Sequence, residues 1–350
     1  MNYGISVLFR AIPLVMALIC MFFGWQVYCT GDDTARLTAA PVIFFLGSIC
    51  IALFCTAATI IRQIIGTYRP ILRFVYPAIG YGVAAATLCI GIWIFRTHTE
   101  PALFVAGHVV AGLGLISLCV STAATSSVRF TLIPENSKRD DSTPNPAAYS
   151  RGMGFTLITI VTLAALAAWV WAIILLLHAD RSPSALVAGT VMGGIACVCT
   201  GLIALVASIV RQTRNTYTQT DRRRWPQLVL GMGTAALVWG TIIVIGNIGD
   251  KFQDIGCIMI GLGLICYSIS SKVLLLAKVW RADYPLAKRI PLIPVMTALT
   301  ALFLAAFLTE YSTVNPYYFT PSHVLVGFGA ICFTLFSIVS ILESGTSSGK

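Results

Sequence analysis

GHVVAGLGLIS, residues 107–117, lies inside a long apolar run and admits two readings. His108 among three glycines, Gly107, Gly112 and Gly114, could be a ligand beside a phosphate-cradling turn, or one closely packed face of a helix. The surrounding chain decides between them. Of 350 residues, 57% are hydrophobic and 10% charged, where a soluble domain carries about 25% charged residues. A helix crosses a bilayer with about 20 apolar residues. The sequence therefore predicts an all-α, polytopic membrane bundle with ten spans, near 8–28, 40–61, 74–95, 103–127, 153–177, 185–210, 227–247, 254–276, 290–309 and 322–342. The first run continues into YCTGDD without a small-x-small cleavage pattern, so it reads as a retained helix.

Ten spans put alternate loops on opposite sides, and the basic residues sort between them. Of the 23 Lys and Arg, only Arg36, Arg96, Arg181 and Lys251 fall on the side opposite the termini. By the positive-inside rule both termini are expected in the cytoplasm. The net charge of +10 is thus accounted for by topology, with membrane lipids as partners and no nucleic acid. Arg222-Arg223-Arg224 reads as a topogenic cluster at a helix start.

Aligning the even-numbered spans on the opening stretch exposes a register. The copies are APVIFFLGSIC from Ala40, GHVVAGLGLIS from Gly107, GTVMGGIACVC from Gly189, GCIMIGLGLIC from Gly256 and SHVLVGFGAIC from Ser322. The third column is Val or Ile, and the tenth is Ile or Val. The eighth is Gly47, Gly114, Ala196, Gly263 and Gly329, and the eleventh is Cys or Ser throughout. Twenty-two positions after each start come Arg62, Arg129, Arg211, Lys278 and then Ser344. A basic side chain at that height would snorkel to the interface and mark the topology. Several odd spans also open with Arg shortly before Pro, as in Arg10-x-x-Pro13 and Arg73-x-x-x-Pro77, a placement suited to a first helical turn.

The unit is a two-helix hairpin, repeated in parallel as 8–62, 73–129, 151–211, 224–279 and 289–344, with starts 67, 82, 67 and 66 residues apart. Repetition at a near-fixed period marks duplicated architecture. The long interval holds a polar cytoplasmic loop, 130–150, within a single transmembrane domain.

A phosphate cradle needs a turn before a helix N-terminus, whereas these glycines fall within spans. Gly47, Gly112, Gly114, Gly194, Gly261, Gly263, Gly327 and Gly329 are accordingly expected to let helices approach closely. All four histidines, His98, His108, His178 and His323, fall at the outer ends; His108 and His323 share a column held elsewhere by Pro41, Thr190 and Cys257. Interfacial hydrogen bonding, a pH-responsive role and a metal site are the three readings, and the spacing supplies no further ligands for the last. Most of the eleven cysteines lie within spans, where a thiol behaves as a small hydrophobe, and no disulfide framework is expected. No acid or base is expected in the middle of a span, with Lys272 close enough to the inner end to snorkel, and coupled carriers usually mark their route with such groups. No nucleophile, base and oxyanion donor come together in the spacing, so the chain reads as non-enzymatic, without cofactor or metal.

The stretches APVIFFLGSICIALFCTAATII, FVAGHVVAGLGLISLCVSTAATSS, IVRQTRNTYT and HVLVGFGAICFTLFSIVSILESG resemble the YhiM-like inner-membrane proteins of enteric bacteria over the whole chain. The resemblance implies a ten-span inner-membrane protein associated with survival at low pH. Three functions follow as expectations. The leading one is acid or envelope stress tolerance through protonation of His98, His108, His178, His323, Glu100, Asp254 and Glu310. The others are a channel or uncoupled facilitator whose five Gly-rich even helices surround a common path, and a lipid-interacting scaffold.

Overall fold

The computed structural model describes residues 3–33, 35–64, 69, 71–129, 150–247, 252–279 and 288–347. The polar loop, apart from Ser150, and Lys251 lie outside the described residues. The described residues contain ten long helices and no strand: α1 Tyr3–Thr30, α2 Ala40–Ile64, α3 Leu72–Thr97, α4 Pro101–Ser126, α5 Arg151–Leu177, α6 Pro183–Thr213, α7 Gln219–Gly246, α8 Gln253–Val279, α9 Leu292–Ser312 and α10 Phe319–Ser347. Each is long and apolar enough to cross a membrane. The chain is a multi-pass membrane protein.

Burial divides the helices into two layers. In the most apolar stretches of the even-numbered helices 61–89% of residues are buried, against 22–33% in the odd-numbered ones. The even helices close a ring in the order α2, α4, α6, α8, α10 and back to α2. Each odd helix lies outside, packed chiefly on the even helix that follows it. The outer layer turns Phe22, Trp25, Phe74, Trp93, Phe155, Leu163 and Phe303 outward, large apolar side chains suited to lipid rather than water.

Four of the five hairpins are drawn tight near their connecting loops by glycines: Gly24, Gly91 with Gly107, Gly189, and Gly240 with Gly256. A Cβ on Gly24 would meet the Phe44 backbone nitrogen at 2.6 Å, and one on Gly240 the Gly256 carbonyl oxygen at 2.7 Å. With no hydrophobic driving force between helices in lipid, this backbone proximity supplies the packing that holds them.

The expectation that prolines occupy first turns holds only in part. Pro13, Pro77 and Pro226 lie inside α1, α3 and α7, because those helices start earlier than hydropathy suggests, whereas Pro291 caps α9. For α7 the earlier start has a local cause. The Thr218 hydroxyl accepts a hydrogen bond from the Asp221 backbone N–H at 3.3 Å, and Asp221 Oδ2 accepts from the Thr218 N–H at 2.8 Å. This capping box starts a polar turn, QTDRRR, ahead of the apolar run.

Candidate functional site

The ring of even helices encloses an axis, and the register of the eleven-residue copies maps onto it. Two positions before each copy start lie Thr38, Val105, Val187, Asp254 and Thr320, and all five line a cavity of about 170 Å³ near the connecting-loop end. The third column, Val42, Val109, Val191, Ile258 and Val324, lines the same cavity, and Leu113, Ile195, Leu262 and Phe328 of the seventh column floor it. Further along, the tenth column, Ile49, Ile116, Val198, Ile265 and Ile331, borders a second cavity of about 20 Å³. Leu53, Val120, Leu202, Ile269 and Leu335 line its middle, and Thr56, Ala123, Leu205 and Lys272 its far end. The steps of four, four, three, four and three residues keep one stripe of each helix turned inward through five turns.

The two cavities are parted where the seventh and tenth columns meet. Leu46, Leu113, Ile195, Leu262 and Phe328 are each at most 2% exposed. Their seating explains the sixth-column glycines. A Cβ on Gly112 would meet Ile195 Cδ1 at 2.6 Å, and one on Gly194 would meet Leu262 Cδ1 at 2.5 Å. Gly261 faces Phe328 in the same way, and Gly327 faces Leu46. Four of the five seventh-column side chains, Ile195, Leu262, Phe328 and Leu46, thus occupy the notch left by the preceding inner helix of the ring. At α2 the notch position is Phe45 instead. The eighth column turns the other way: Gly47 faces Met21, Gly114 the Leu88 backbone, Gly263 Leu237 and Gly329 Leu302, each on the hairpin's own outer helix.

The titratable candidates are not gathered into one site. His98, Glu100, His178 and Glu310 are exposed near the connecting-loop end. His98 presents its ring edge-on to Trp93 at 5.8 Å, and His178 Nδ1 donates to the Ile174 carbonyl at 2.7 Å. His108 and His323 occupy matching boxes between inner and outer helices, away from the axis. In both, Nδ1 lies 2.7 Å from the carbonyl four residues earlier, Phe104 or Phe319. A carbonyl only accepts, so Nδ1 carries the proton and Nε2 the lone pair. His108 stacks on Phe95 at 4.1 Å with Phe104 at 4.2 Å, and His323 on Phe319 at 4.0 Å with Phe23 at 5.3 Å. Of the seven, Asp254 alone lines the axis. Among the described residues no group of three His, Cys, Asp or Glu side chains is placed to hold a metal.

Lys272 corrects the sequence reading. It does not snorkel; it is 2% exposed and faces the second axial cavity. It stands 18 residues after Asp254, five helical turns, so both charges share the inward stripe of α8, separated by about 27 Å along the helix.

Residues 1–347 match the family described as protein of unknown function DUF2776. The chain belongs to this family. It is also 44% identical, over 99% of its own length and 99% of the relative's, to the protein named inner membrane protein YhiM of Escherichia coli (strain K12). The YhiM-like resemblance read from the four quoted stretches is thus a family relationship.

In this DUF2776 protein the basic residues at the terminus end are not uniform in environment. Arg62 lies over the Tyr76 ring, 5.8 Å from its centroid, Lys278 is in the last turn of α8, and the side chain of Arg129 lies outside the described residues. Arg211 fastens the α6–α7 turn. Asn215, with φ of 57°, ends α6 in the left-handed conformation. The Thr216 N–H then returns to the Arg211 carbonyl at 2.8 Å and the Asn215 N–H to that of Gln212 at 3.0 Å, a Schellman closure. This brings Arg211 Nη1 to 3.1 Å from Asp221 Oδ1, whose side chain is 9% exposed. Arg211→Ala would leave that carboxylate without its cation. With Arg211 itself 38% exposed, screening holds the expected loss to about 1 kcal/mol. Thermal unfolding of the single and double Ala variants checks this, and strictly additive losses would mean the pair contributes nothing.

Proposed function

We propose that this chain is a non-enzymatic, multi-pass inner-membrane protein whose five inner helices surround a hydrophobically gated path for a small ion or solute. Both termini are cytoplasmic in this reading, and the five hairpins are parallel copies of one duplicated unit. The observation that carries the proposal is the axial column. Successive rings of equivalent side chains, one from each even helix, line two cavities and meet between them at an apolar constriction. Hydrophobic constrictions gate by excluding water, and a small widening or polarisation lets water return. The charge distribution along the chain and the relative's printed name support the membrane and the orientation. The constriction makes the described state a closed one. Purified protein in liposomes should pass a small ion or neutral solute above the level of protein-free vesicles once a gradient is imposed. Flux equal to empty vesicles for ions of both signs and for small neutral solutes, at verified incorporation, would remove the path.

A second reading, acid-stress tolerance, draws on the family resemblance and on one observation, the matched aromatic boxes of His108 and His323. Protonating either ring would place a cation between aromatic faces. Replacing both histidines with Gln is expected to lower survival at low pH without changing protein level. Unchanged survival takes both residues out of such a mechanism.

A further inference from the structure

The inward stripe of α8 presents a charge problem that the fold itself does not solve. Lys272 has an ammonium group at 2% residue exposure, in a cavity whose other lining residues are Ile, Leu, Val, Ala and Thr. No carboxylate lines that cavity. At the equivalent height in the ring stand Thr56 of α2, Ala123 of α4 and Leu205 of α6, while the spacing puts Ile338 of α10 there. Among the described residues Lys272 has no hydrogen-bond or ion-pair partner. Asp254 is five turns away, about 27 Å, too far to act as its counter-ion. Arg211 and Asp221, at the terminus end of α6 and α7, pair with each other.

A buried cation without a partner is costly, and such groups either neutralise or take a counter-ion. The cavity beside Lys272 has about 20 Å³ for the centre of a water-sized body, enough for one small occupant. Thr56, whose hydroxyl donates to the Ala52 carbonyl at 3.2 Å, is the one other polar side chain in the lining.

We propose that Lys272 binds a small monovalent inorganic anion in the axial cavity and gives the axis a preference for anions over cations. The site is a point charge within apolar walls, so it takes ions of halide or nitrate size. It excludes organic anions whose bulk exceeds the cavity. This deepens the gated-path reading and rests on it for selectivity, although the binding site stands without conduction.

The test separates the two. Full-length protein in nanodiscs of uncharged lipid is unfolded thermally in sodium bromide, sodium nitrate or sodium gluconate at equal ionic strength. Bromide and nitrate are expected to raise the midpoint above gluconate in the wild type and in Lys272→Arg, and not in Lys272→Met. Removing a lone buried charge should leave the fold intact or firmer, and Lys272→Gln serves as a second neutral variant. In liposomes, bromide flux is expected to exceed sodium flux and to fall about tenfold or more in Lys272→Met, as a passage rate does when its barrier rises. An equal response of wild type and Lys272→Met to bromide overturns the anion site. Cation-selective flux unaffected by Lys272→Met overturns the anion preference of the axis, while keeping the path. Bromide-specific stabilisation lost in Lys272→Met, with no flux in any variant, keeps the site and overturns the path.

Discussion

Gly91→Val is expected to abolish most of the well-behaved protein recovered in detergent and to lower the unfolding midpoint of the remainder sharply. The cause is where its side chain would go. A Cβ on Gly91 of α3 meets the Ala111 backbone nitrogen and Cα and the Gly107 carbonyl oxygen of α4, all inside 3.0 Å. Those obstacles are main chain, so no rotamer change relieves them, and the hairpin must splay along its length. Splaying would also disturb Phe95, which packs on His108 at 4.1 Å. Overpacking costs about 1–3 kcal/mol, and main-chain obstacles that cannot yield put this site at the upper end. Gly82, on the same helix, is the control. A Cβ there meets nothing within 4 Å, and Gly82→Ala should hold or raise stability, since Ala is the better helix former by about 1 kcal/mol. A Gly91→Val midpoint equal to that of Gly82→Ala would show that the α3–α4 contact is looser than the structure makes it.

The contrast between those two glycines also marks how far the sequence could be read. Hydropathy located ten helices and the column alignment found equivalent positions, because both depend only on order along the chain. Direction was harder. In a lipid-embedded bundle the outward and inward faces are both apolar, so a third column of Val and Ile carries no sign of facing an axis rather than lipid. The column becomes informative only when the burial of the even helices puts the five copies in a ring. Lys272 was misread for the same reason: its distance from the span end suggested snorkelling, while its face, set by the 18-residue spacing from Asp254, points to the axis. The boxes around His108 and His323 are partly legible, since Phe104 and Phe319 precede them by four residues, one turn along the same face. Phe95 and Phe23 come from other helices and leave no local trace. The Arg211–Asp221 pair depends on the left-handed turn at Asn215, for which an Asn after a helix is a weak sign.

Ile265→Ser combined with Ile331→Ser should turn the closed axis into a leak. These side chains, 2% and 1% exposed, belong to the tenth-column ring that borders the second cavity just beyond the constriction. Shortening both removes volume that the rigid ring cannot fully recover. The two hydroxyls then offer hydrogen bonds to water where the wild type offers none, which favours hydration of the narrow stretch. Lowering the barrier to passage by as little as 1.36 kcal/mol raises a rate about tenfold, so a tenfold or greater rise in flux from liposomes is the expected result. Ile265→Val with Ile331→Val changes size slightly and polarity not at all, and should stay closed. Leu166→Ser on the outer helix α5, at a position 54% exposed, adds a hydroxyl on the lipid-facing coat and should stay closed as well. A leak from the lipid-facing variant equal to that of the paired Ser variant would mean that permeability follows general loosening of the bundle. A leak confined to the ring variant would locate the route on the axis, between Asp254 at one end and Lys272 at the other.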